Sequence, residues 1–138
     1  MLSHEPAQNR SKVVLVADDA PENLVILKAI VEKAGYTFIG AETGCGCLTI
    51  ASRVTPRLIL LDIQMPDMNG FEACRRLRTM PELRRVPIMF LTASHSADDV
   101  REGIAAGGND FVVRPFHPIK LLERVQHWTT RRVDSNAV

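Results

Sequence analysis

The stretch RLILLDIQMPDMNG, which covers residues 57–70, decides the fold of this chain. Its four consecutive apolar residues, 58–61, are typical of a strand that is buried on both faces of a parallel sheet. Asp62 follows at once, at the point where the strand leaves the core and a carboxylate can keep its charge. Asn69 and Gly70 then indicate a turn or a helix start. The stretch predicts a strand that presents an acid at its end, although an ordinary strand–turn–helix junction with a solvated aspartate has the same pattern.

Strand-like and helix-like segments alternate five times along the chain. Strands are predicted at residues 13–17, 36–41, 58–61, 86–91 and 110–113. Helices are predicted at residues 21–34, 44–54, 69–79, 96–107 and 118–130. The second strand is less apolar than the others and is expected at an edge of the sheet. Because crossovers between parallel strands are right-handed, this order predicts an α/β fold with one five-stranded parallel sheet and helices on both faces.

Each helix is expected to bury one stripe of apolar side chains. The expected stripes are Leu24, Leu27, Val31 and Ala34 in the first helix, Phe71, Cys74 and Leu77 in the third, and Leu121, Val125 and Trp128 in the fifth. The fourth helix has only Val100 and Ile104 as large inward anchors, and Gly107 with Gly108 is expected to end it.

Length and composition limit the function classes. The 138 residues suit one domain, expected over residues 12–131, with a flexible N-terminal tail at 1–11 and a C-terminal tail at 132–138. A net charge of +1 gives no case for nucleic-acid binding, and no apolar run is long enough for a membrane span or a signal peptide. Three cysteines without a secretion signal favour the cytoplasm. So few residues follow the last helix that no DNA-binding domain is expected.

Polar residues stand where the predicted strands end. They are Asp18 and Asp19 after the first strand, Asp62 after the third, Thr92 after the fourth and Arg114 after the fifth. In open α/β sheets, ligands bind outside the carboxyl ends of the strands. If the first and third strands are neighbours, three carboxylates crowd together, and Mg²⁺ is the cation that such oxygen ligands prefer. A hydroxyl and a permanent cation beside them can hold phosphoryl oxygens, so the pattern indicates phosphoryl-transfer chemistry.

Four short motifs carry a resemblance to a known family. They are LVADD at 15–19, LLDIQMPDMNG at 60–70, FLTA at 90–93 and FVVRPF at 111–116. In this order and spacing they are specific, and residues 12–131 resemble the receiver domains of bacterial two-component response regulators, in particular those of chemotaxis. The resemblance implies a flavodoxin-like (βα)5 fold with the strand order 2-1-3-4-5.

The resemblance also implies roles for the strand-end residues. Asp62 would be the phosphoacceptor, so its side-chain carboxylate would be the group that is modified. Asp19, Asp62 and the backbone carbonyl of Gln64 would hold Mg²⁺. Asp18 would assist the metal, through a water molecule, and Thr92 would hold the phosphoryl group.

A partner and a switch are implied in the same way. The phosphoryl group would come from a sensor histidine kinase or a phosphotransfer protein, and the chain would not be a turnover enzyme. On activation Thr92 would engage the phosphoryl group and Phe111 would swing inward. The surface formed by the fourth helix, the fifth strand and the fifth helix would then change. That surface would bind a downstream protein, which the sequence does not name, or a second copy of the chain as a homodimer.

Arg114 stands where members of this family carry a lysine. Arginine is a planar fork donor and lysine a compact point charge, so Arg114 can bridge Asp62 and either Asp18 or Asp19 before phosphorylation. This departure keeps open a pseudo-receiver that is not phosphorylated, and the receiver module of a longer output or hybrid-kinase chain stays open as well. A Mg²⁺-dependent aspartyl-phosphate hydrolase is a third alternative, but such enzymes carry a second acid where this chain has Gln64.

The remaining cysteines, histidines and arginines are interpreted as structural. Cys45 and Cys47 are expected to be buried or half-buried thiols, because residues two apart on a helix do not converge on a metal. The histidines show no ligand spacing: His4, His95, His117 and His127. A run of arginines around the third helix is expected on a solvated face: Arg75, Arg76, Arg78, Arg84 and Arg85.

Overall fold

The computed structural model describes residues 11–93 and 96–130, and in that part of the chain strands and helices alternate as predicted. The strands are β1 (Val13–Ala17), β2 (Thr37–Ala41), β3 (Leu58–Asp62), β4 (Ile88–Thr92) and β5 (Asp110–Val113). The helices are α1 (Pro21–Lys33), α2 (Gly44–Val54), α3 (Gly70–Arg78), α4 (Ala97–Ala106) and α5 (Pro118–Thr129), and a 3-10 turn at Pro81–Leu83 precedes β4. β4 begins two residues later than the sequence pattern indicates, and four of the five helices are shorter by one or two residues because the pattern included their capping residues.

The five strands form one parallel sheet in the order β2-β1-β3-β4-β5, which confirms the predicted fold class. β3 and β4 lie in the middle of the sheet with every residue buried, as their continuous apolar sequence indicates. β2 lies at one edge, as expected, and β5 lies at the other with all four residues partly exposed. Ala17 pairs with Leu61, and Asp62 pairs with Leu91, so the carboxyl ends of β1, β3 and β4 meet at one edge of the sheet.

Alternate residues of the strands form two cores, one on each face of the sheet. On one face Ile59, Leu61 and Phe90 pack with the inward stripes of α2 and α3. On the other face Leu60 and Leu91 pack with the stripes of α1 and α5. The predicted inward residues of α3 are buried, and so are Leu27 and Val31 of α1 and Leu121 and Val125 of α5. Two helical layers therefore cover the sheet, and its carboxyl edge is left for a site.

Asn69 and Gly70 begin α3 for separate physical reasons. The Asn69 side chain accepts a hydrogen bond of 2.8 Å from the backbone N–H of Glu72 and so caps the helix. Gly70 is needed because the backbone crosses directly over the end of β3. A Cβ at this position would lie 2.5 Å from the carbonyl oxygen of Asp62. The pair ties the start of α3 to the strand that presents Asp62.

The prediction for the inner face of α4 is wrong in one respect. Ile104 is 63% exposed, and Val100 is only partly buried. The residues of α4 that are buried are Gly103 and Ala106. Small residues face the sheet because two aromatic rings, those of Phe90 and Phe111, already fill the space beneath the helix; ring atoms of both lie within 3.1 Å of a Cβ placed at Gly103. As predicted, α4 ends at Gly107, whose φ of 105° is in the left-handed region.

Arg78 does not lie on the solvated face that was predicted for it. Its guanidinium donates hydrogen bonds to the carbonyl oxygens of Leu83, Val86 and Gly107 and to the side-chain oxygen of Asn109. Carbonyls at a helix end and in a packed loop need donors, and Arg78 supplies several from one side chain. The other arginines of the run are exposed, as predicted: Arg75, Arg76, Arg84 and Arg85.

Cys45 is exposed, contrary to the expectation, whereas Cys47 is fully buried. Both lie in the first turn of α2, where side chains two residues apart point to different sides of the helix. His117 and His127 are exposed. The expectations for His4, His95 and the two tails fall on residues outside the described ranges, except that Ser11 is buried. Among the described residues, no helix is both long and apolar enough to cross a membrane.

Candidate functional site

Three carboxylates meet at the carboxyl edge of the sheet. Asp18, Asp19 and Asp62 each offer one oxygen, and these oxygens lie within 4.8 Å of one another. The sheet order explains the grouping, because β1 and β3 are neighbours and the pairing of Ala17 with Leu61 brings the residues that follow them to one level. This juxtaposition is the one that the sequence predicted for the case in which the first and third strands are adjacent.

Two of these acids are almost completely enclosed. Asp18 is 0% exposed and Asp62 is 4% exposed, whereas Asp19 faces solvent. Burial raises the pKa of Asp62 above its ordinary value, and the positive charge of Arg114 and a hydrogen bond from the Gln64 backbone oppose that rise. The Gln64 N–H donates to Asp62 Oδ1 at 3.2 Å. The pocket therefore concentrates negative charge where water screens it poorly, and it requires cations.

Arg114 supplies one such cation from the residue that follows β5. Its Nη2 atom lies 2.5 Å from Asp18 Oδ2 and 3.4 Å from Asp62 Oδ2, and its Nη1 donates to Asp62 Oδ1 at 3.4 Å. The bridge between Asp62 and one of the two other acids, expected from the fork shape of arginine, is thus present, and Asp18 is the second partner. The backbone N–H of Arg114 donates to the carbonyl of Thr92, which holds the pocket ends of β4 and β5 together.

Asn23 is a site residue that the sequence analysis missed. Its side-chain amide donates to both carboxylate oxygens of Asp18, at 3.4 and 3.3 Å, and the Ala20 N–H donates to Asp18 Oδ1 at 3.0 Å. Asn23 lies in the first turn of α1, and only its position five residues after Asp18 could have indicated the contact. These bonds hold one acid in place independently of any metal.

Asp67 is a second missed residue, and it positions the loop between β3 and α3. Its carboxylate accepts hydrogen bonds of 2.8 Å from the backbone N–H groups of Gly44 and Cys45, at the start of α2. These bonds lower the pKa of Asp67 to about 2. Gln64, whose carbonyl is a predicted metal ligand, lies in the same loop, so Asp67 restrains the segment that would carry that ligand.

Thr92 and Phe111 lie on the other side of Asp62. Thr92 ends β4 and is 5% exposed; it follows Leu91, the residue paired with Asp62. Phe111 is paired with Phe90 on β4, and the centroids of the two rings are 5.2 Å apart. The ring of Phe111 is partly buried beneath Gly103 of α4. Thr92 therefore ends the strand that neighbours the strand of Asp62, and Phe111 lies against the fourth helix.

The donor set at this edge suits a hard divalent cation. Carboxylate oxygens are the ligands that Mg²⁺ takes in proteins, whereas a zinc site would use imidazole or thiolate groups. Within the described ranges, the one group of side chains close enough to bind a metal is the aspartate triad, which holds neither histidine nor cysteine. The residues present therefore fit Mg²⁺.

Comparisons with known proteins agree with this geometry. Residues 14–126 match the family model of the response regulator receiver domain. The chain is 35% identical to the response regulator PleD of Caulobacter vibrioides over 116 residues. The aligned region covers 84% of this chain and 26% of PleD. The chain therefore spans about a quarter of the length of that relative.

Solved receiver structures are similar as well. The chemotaxis response regulator CheY4 of Vibrio cholerae superposes with a TM-score of 0.80 at 31% identity, over 83% of this chain and 96% of that one. The receiver domain of a Pseudomonas aeruginosa sensor histidine kinase, solved with magnesium coordinated in its active-site cleft, gives a TM-score of 0.80 at 30% identity, over 88% and 99% of the two chains. By its sequence, its strand order and these matches, the chain belongs to the response regulator receiver domains of two-component signalling.

Proposed function

We propose that this receiver domain accepts a phosphoryl group on Asp62 from a phosphohistidine of a histidine kinase or a phosphotransfer protein. The observation that carries the proposal is the position of Asp62. It ends the central strand, is almost buried, and lies within ligand distance of two further acids and beside the cation of Arg114. A carboxylate oxygen of Asp62 attacks phosphorus while the phosphorus–nitrogen bond breaks, and the histidine ring keeps the electron pair and takes up a proton.

Asp19, Asp62 and the carbonyl of Gln64 would hold Mg²⁺, with Asp18 assisting. When bound, the metal offsets negative charge on the phosphoryl oxygens. The support is the donor set itself, three carboxylates with oxygens within 4.8 Å of one another, together with the magnesium in the cleft of the Pseudomonas receiver. The loop that carries Gln64 is already fastened to α2 by Asp67.

The other pocket residues position the transferred group. The Arg114 guanidinium binds phosphoryl oxygens through its fork of N–H donors. The hydroxyl of Thr92 donates to another phosphoryl oxygen from the end of β4. Asp62 acts as the nucleophile and keeps the phosphoryl group, whose presence on the domain is the signal, so the domain acts as a signalling element and not as a turnover enzyme.

Activation would be transmitted through Thr92 and Phe111 to α4. The ring of Phe111 contacts α4 at Gly103, so a movement of the ring changes the position of that helix on the sheet. The surface of α4, β5 and α5 would then bind a downstream protein, an attached output domain or a second copy of the chain. β5 is suited to this role because it is an edge strand with all four residues partly exposed.

Labelling with acetyl phosphate in the presence of Mg²⁺ tests the acceptor. Intact-mass spectrometry should find the phosphoryl adduct in the wild type and none in Asp62→Asn. Asp98→Asn is the matched control, because it makes the same substitution at an exposed aspartate of α4, outside the acidic pocket, and should be labelled. Beryllofluoride should bind only with Mg²⁺, and Asp19→Asn, which removes a proposed metal ligand, should abolish this Mg²⁺-dependent binding. Undiminished labelling of Asp62→Asn would refute the assignment.

One observation favours a second candidate, a receiver that acts without phosphorylation. Arg114 already neutralises Asp18 and Asp62, so the acids are partly compensated without metal. Isothermal titration calorimetry separates the two functions. Binding of Mg²⁺ to the wild type supports the phosphoacceptor, and the absence of binding, together with the absence of labelling by acetyl phosphate, supports the pseudo-receiver.

A further inference from the structure

Arg114 makes its shortest contact with a residue other than the proposed acceptor. Nη2 lies 2.5 Å from Asp18 Oδ2, whereas its distances to the Asp62 carboxylate are 3.4 Å. Asp18 is 0% exposed, and its other bonds come from Asn23 and the Ala20 N–H, which are neutral donors. Arg114 is therefore the cation in contact with this buried acid among the residues that the structure describes.

The fork of the guanidinium explains how one side chain reaches two acids. Its two terminal nitrogens are held in one plane, so Arg114 contacts Asp62 with Nη1 while Nη2 lies between Asp62 and Asp18. A lysine ammonium at the same position would be a single strongly hydrated point charge. It could neutralise one acid without joining the two.

A metal ion that enters the triad binds two of the acids that Arg114 contacts. Oxygens of Asp18, Asp19 and Asp62 form the candidate site, and two of the three acids are in the ion pair with Arg114. Removing the partner of a buried charge is strongly unfavourable unless another cation replaces it. A divalent cation that enters the site therefore replaces Arg114 as the cation that neutralises Asp18.

The buried edge of the guanidinium supplies an independent observation. Nε of Arg114 is buried and has no hydrogen-bond partner among the described residues, although the side chain as a whole is 24% exposed. An unpaired buried donor is unfavourable. The present position of Arg114 therefore satisfies the two acids but leaves one of its own donors buried and unpaired.

We infer that Arg114 bridges Asp18 and Asp62 in the resting domain and competes with Mg²⁺ for them, so that metal binding requires Arg114 to leave Asp18. The inference rests on the proposed function, since it concerns the same metal site. Arg114 is then a positioning and affinity-setting residue: it holds the acids together without metal and becomes available to the phosphoryl group once the metal has replaced it.

Calorimetric titration of Mg²⁺ into three forms of the domain tests the competition. The expected order of affinity is wild type weakest, Arg114→Lys about fivefold tighter, and Arg114→Met tighter again, since one charge-assisted contact is lost in the first step and the remaining charge in the second. Arg124→Lys is the matched control. It makes the same substitution in the Arg124–Asp110 pair on α5 and β5, outside the triad, and should bind Mg²⁺ as the wild type does.

The outcomes separate this inference from the proposed function. Equal affinity in the wild type and Arg114→Lys would overturn the bridge, because charge alone would then account for the effect of residue 114. Absence of binding in all forms, Arg114→Met included, would overturn the proposed metal site and the inference with it.

A second measurement does not depend on affinity. The side-chain Nε–H signal of Arg114 in a nitrogen–proton correlation spectrum should be observed without metal and should shift along the Mg²⁺ titration, while that of Arg124 stays in place. A signal of Arg114 that is unchanged at saturating Mg²⁺ would show that the guanidinium does not move, and would contradict the exchange.

Discussion

The contact between α4 and Phe111 can be tested with the substitution Gly103→Ala. Helix propensity alone predicts that this substitution stabilises the domain, whereas the packing against Phe111 predicts that it destabilises it. Gly103 faces the sheet, and an added Cβ would lie 2.3 Å from Cζ of Phe111 and 3.1 Å from Cε2 of Phe90. Real Cβ atoms do not approach ring carbons to 2.3 Å, so the ring or the helix must shift in Gly103→Ala. The ring of Phe111 is the part that can move, because it is partly exposed at the edge of the sheet.

Two opposing effects set the magnitude. Alanine is favoured over glycine inside a helix by about 1 kcal/mol. Overpacking of a core contact costs about 1–3 kcal/mol, and the ring can relieve part of it only by giving up buried area. We therefore expect Gly103→Ala to lower the free energy of unfolding by about 1 kcal/mol, although the substitution improves the local helix propensity.

Urea unfolding followed by far-ultraviolet circular dichroism measures this difference. Ala105→Gly is the matched control, because Ala105 is an exposed residue of the same helix and reports propensity without the ring. In a Phe111→Ala background the same Gly103→Ala step should turn stabilising, since the principal clash is removed. If Gly103→Ala stabilises the wild type by about 1 kcal/mol, as propensity alone requires, the packing argument is refuted.

Two further predictions concern residues that the structure, and not the sequence, singled out. Arg78→Met leaves the carbonyls of Val86 and Gly107 without their Arg78 donor and removes one of two donors to the Leu83 carbonyl, which also accepts from the Val86 N–H; it should destabilise the domain by about 3 kcal/mol or more in urea unfolding. The exposed Arg75→Met should have little effect, and similar losses in both would contradict the bonding of Arg78. Asp67→Ala should lower the melting temperature at pH 7. Because its hydrogen bonds lower the pKa of Asp67 from 3.8 to about 2, the stabilisation is present above about pH 4 and is lost as the pH falls through about 2. The difference in melting temperature between the wild type and Asp67→Ala should therefore shrink as the pH falls through about 2. A difference at about pH 1.5 as large as the one at pH 7 would disprove the prediction.

The strands, the helix faces and the strand-end residues could be predicted from the sequence because each rests on a local pattern. A strand covered on both faces needs an apolar residue at every position, and residues 58–61 show this without reference to the rest of the chain. The apolar stripe of α3 repeats every three or four residues because one face of the helix is buried against the sheet. Asp18, Asp62 and Thr92 were predicted at one edge because parallel strands bring their carboxyl ends to the same side.

Contacts between distant segments could not be predicted in this way. The sequence shows that Arg78 is charged, but the carbonyls that draw it inward belong to the end of α4 and the loop before β4. Ile104 fits a helical stripe, yet it points outward because the rings on β4 and β5 leave room only for Gly103. In both cases the competing partner lies in another element, which a periodicity along one helix does not report.

The sequence by itself therefore determined the order of strands and helices along the chain, the family and the strand-end residues of the candidate pocket, since hydrophobic patterning and strand-end chemistry are local properties. Only the tertiary structure decided how those residues are paired. It gave Arg114 a second partner, Asp18, that is 96 positions away in the chain, and it placed the Asp67 carboxylate on the first turn of α2. The physical reason is that a hydrogen bond or an ion pair depends on distances of a few ångströms between elements, and those distances are set only when the helices pack on the sheet.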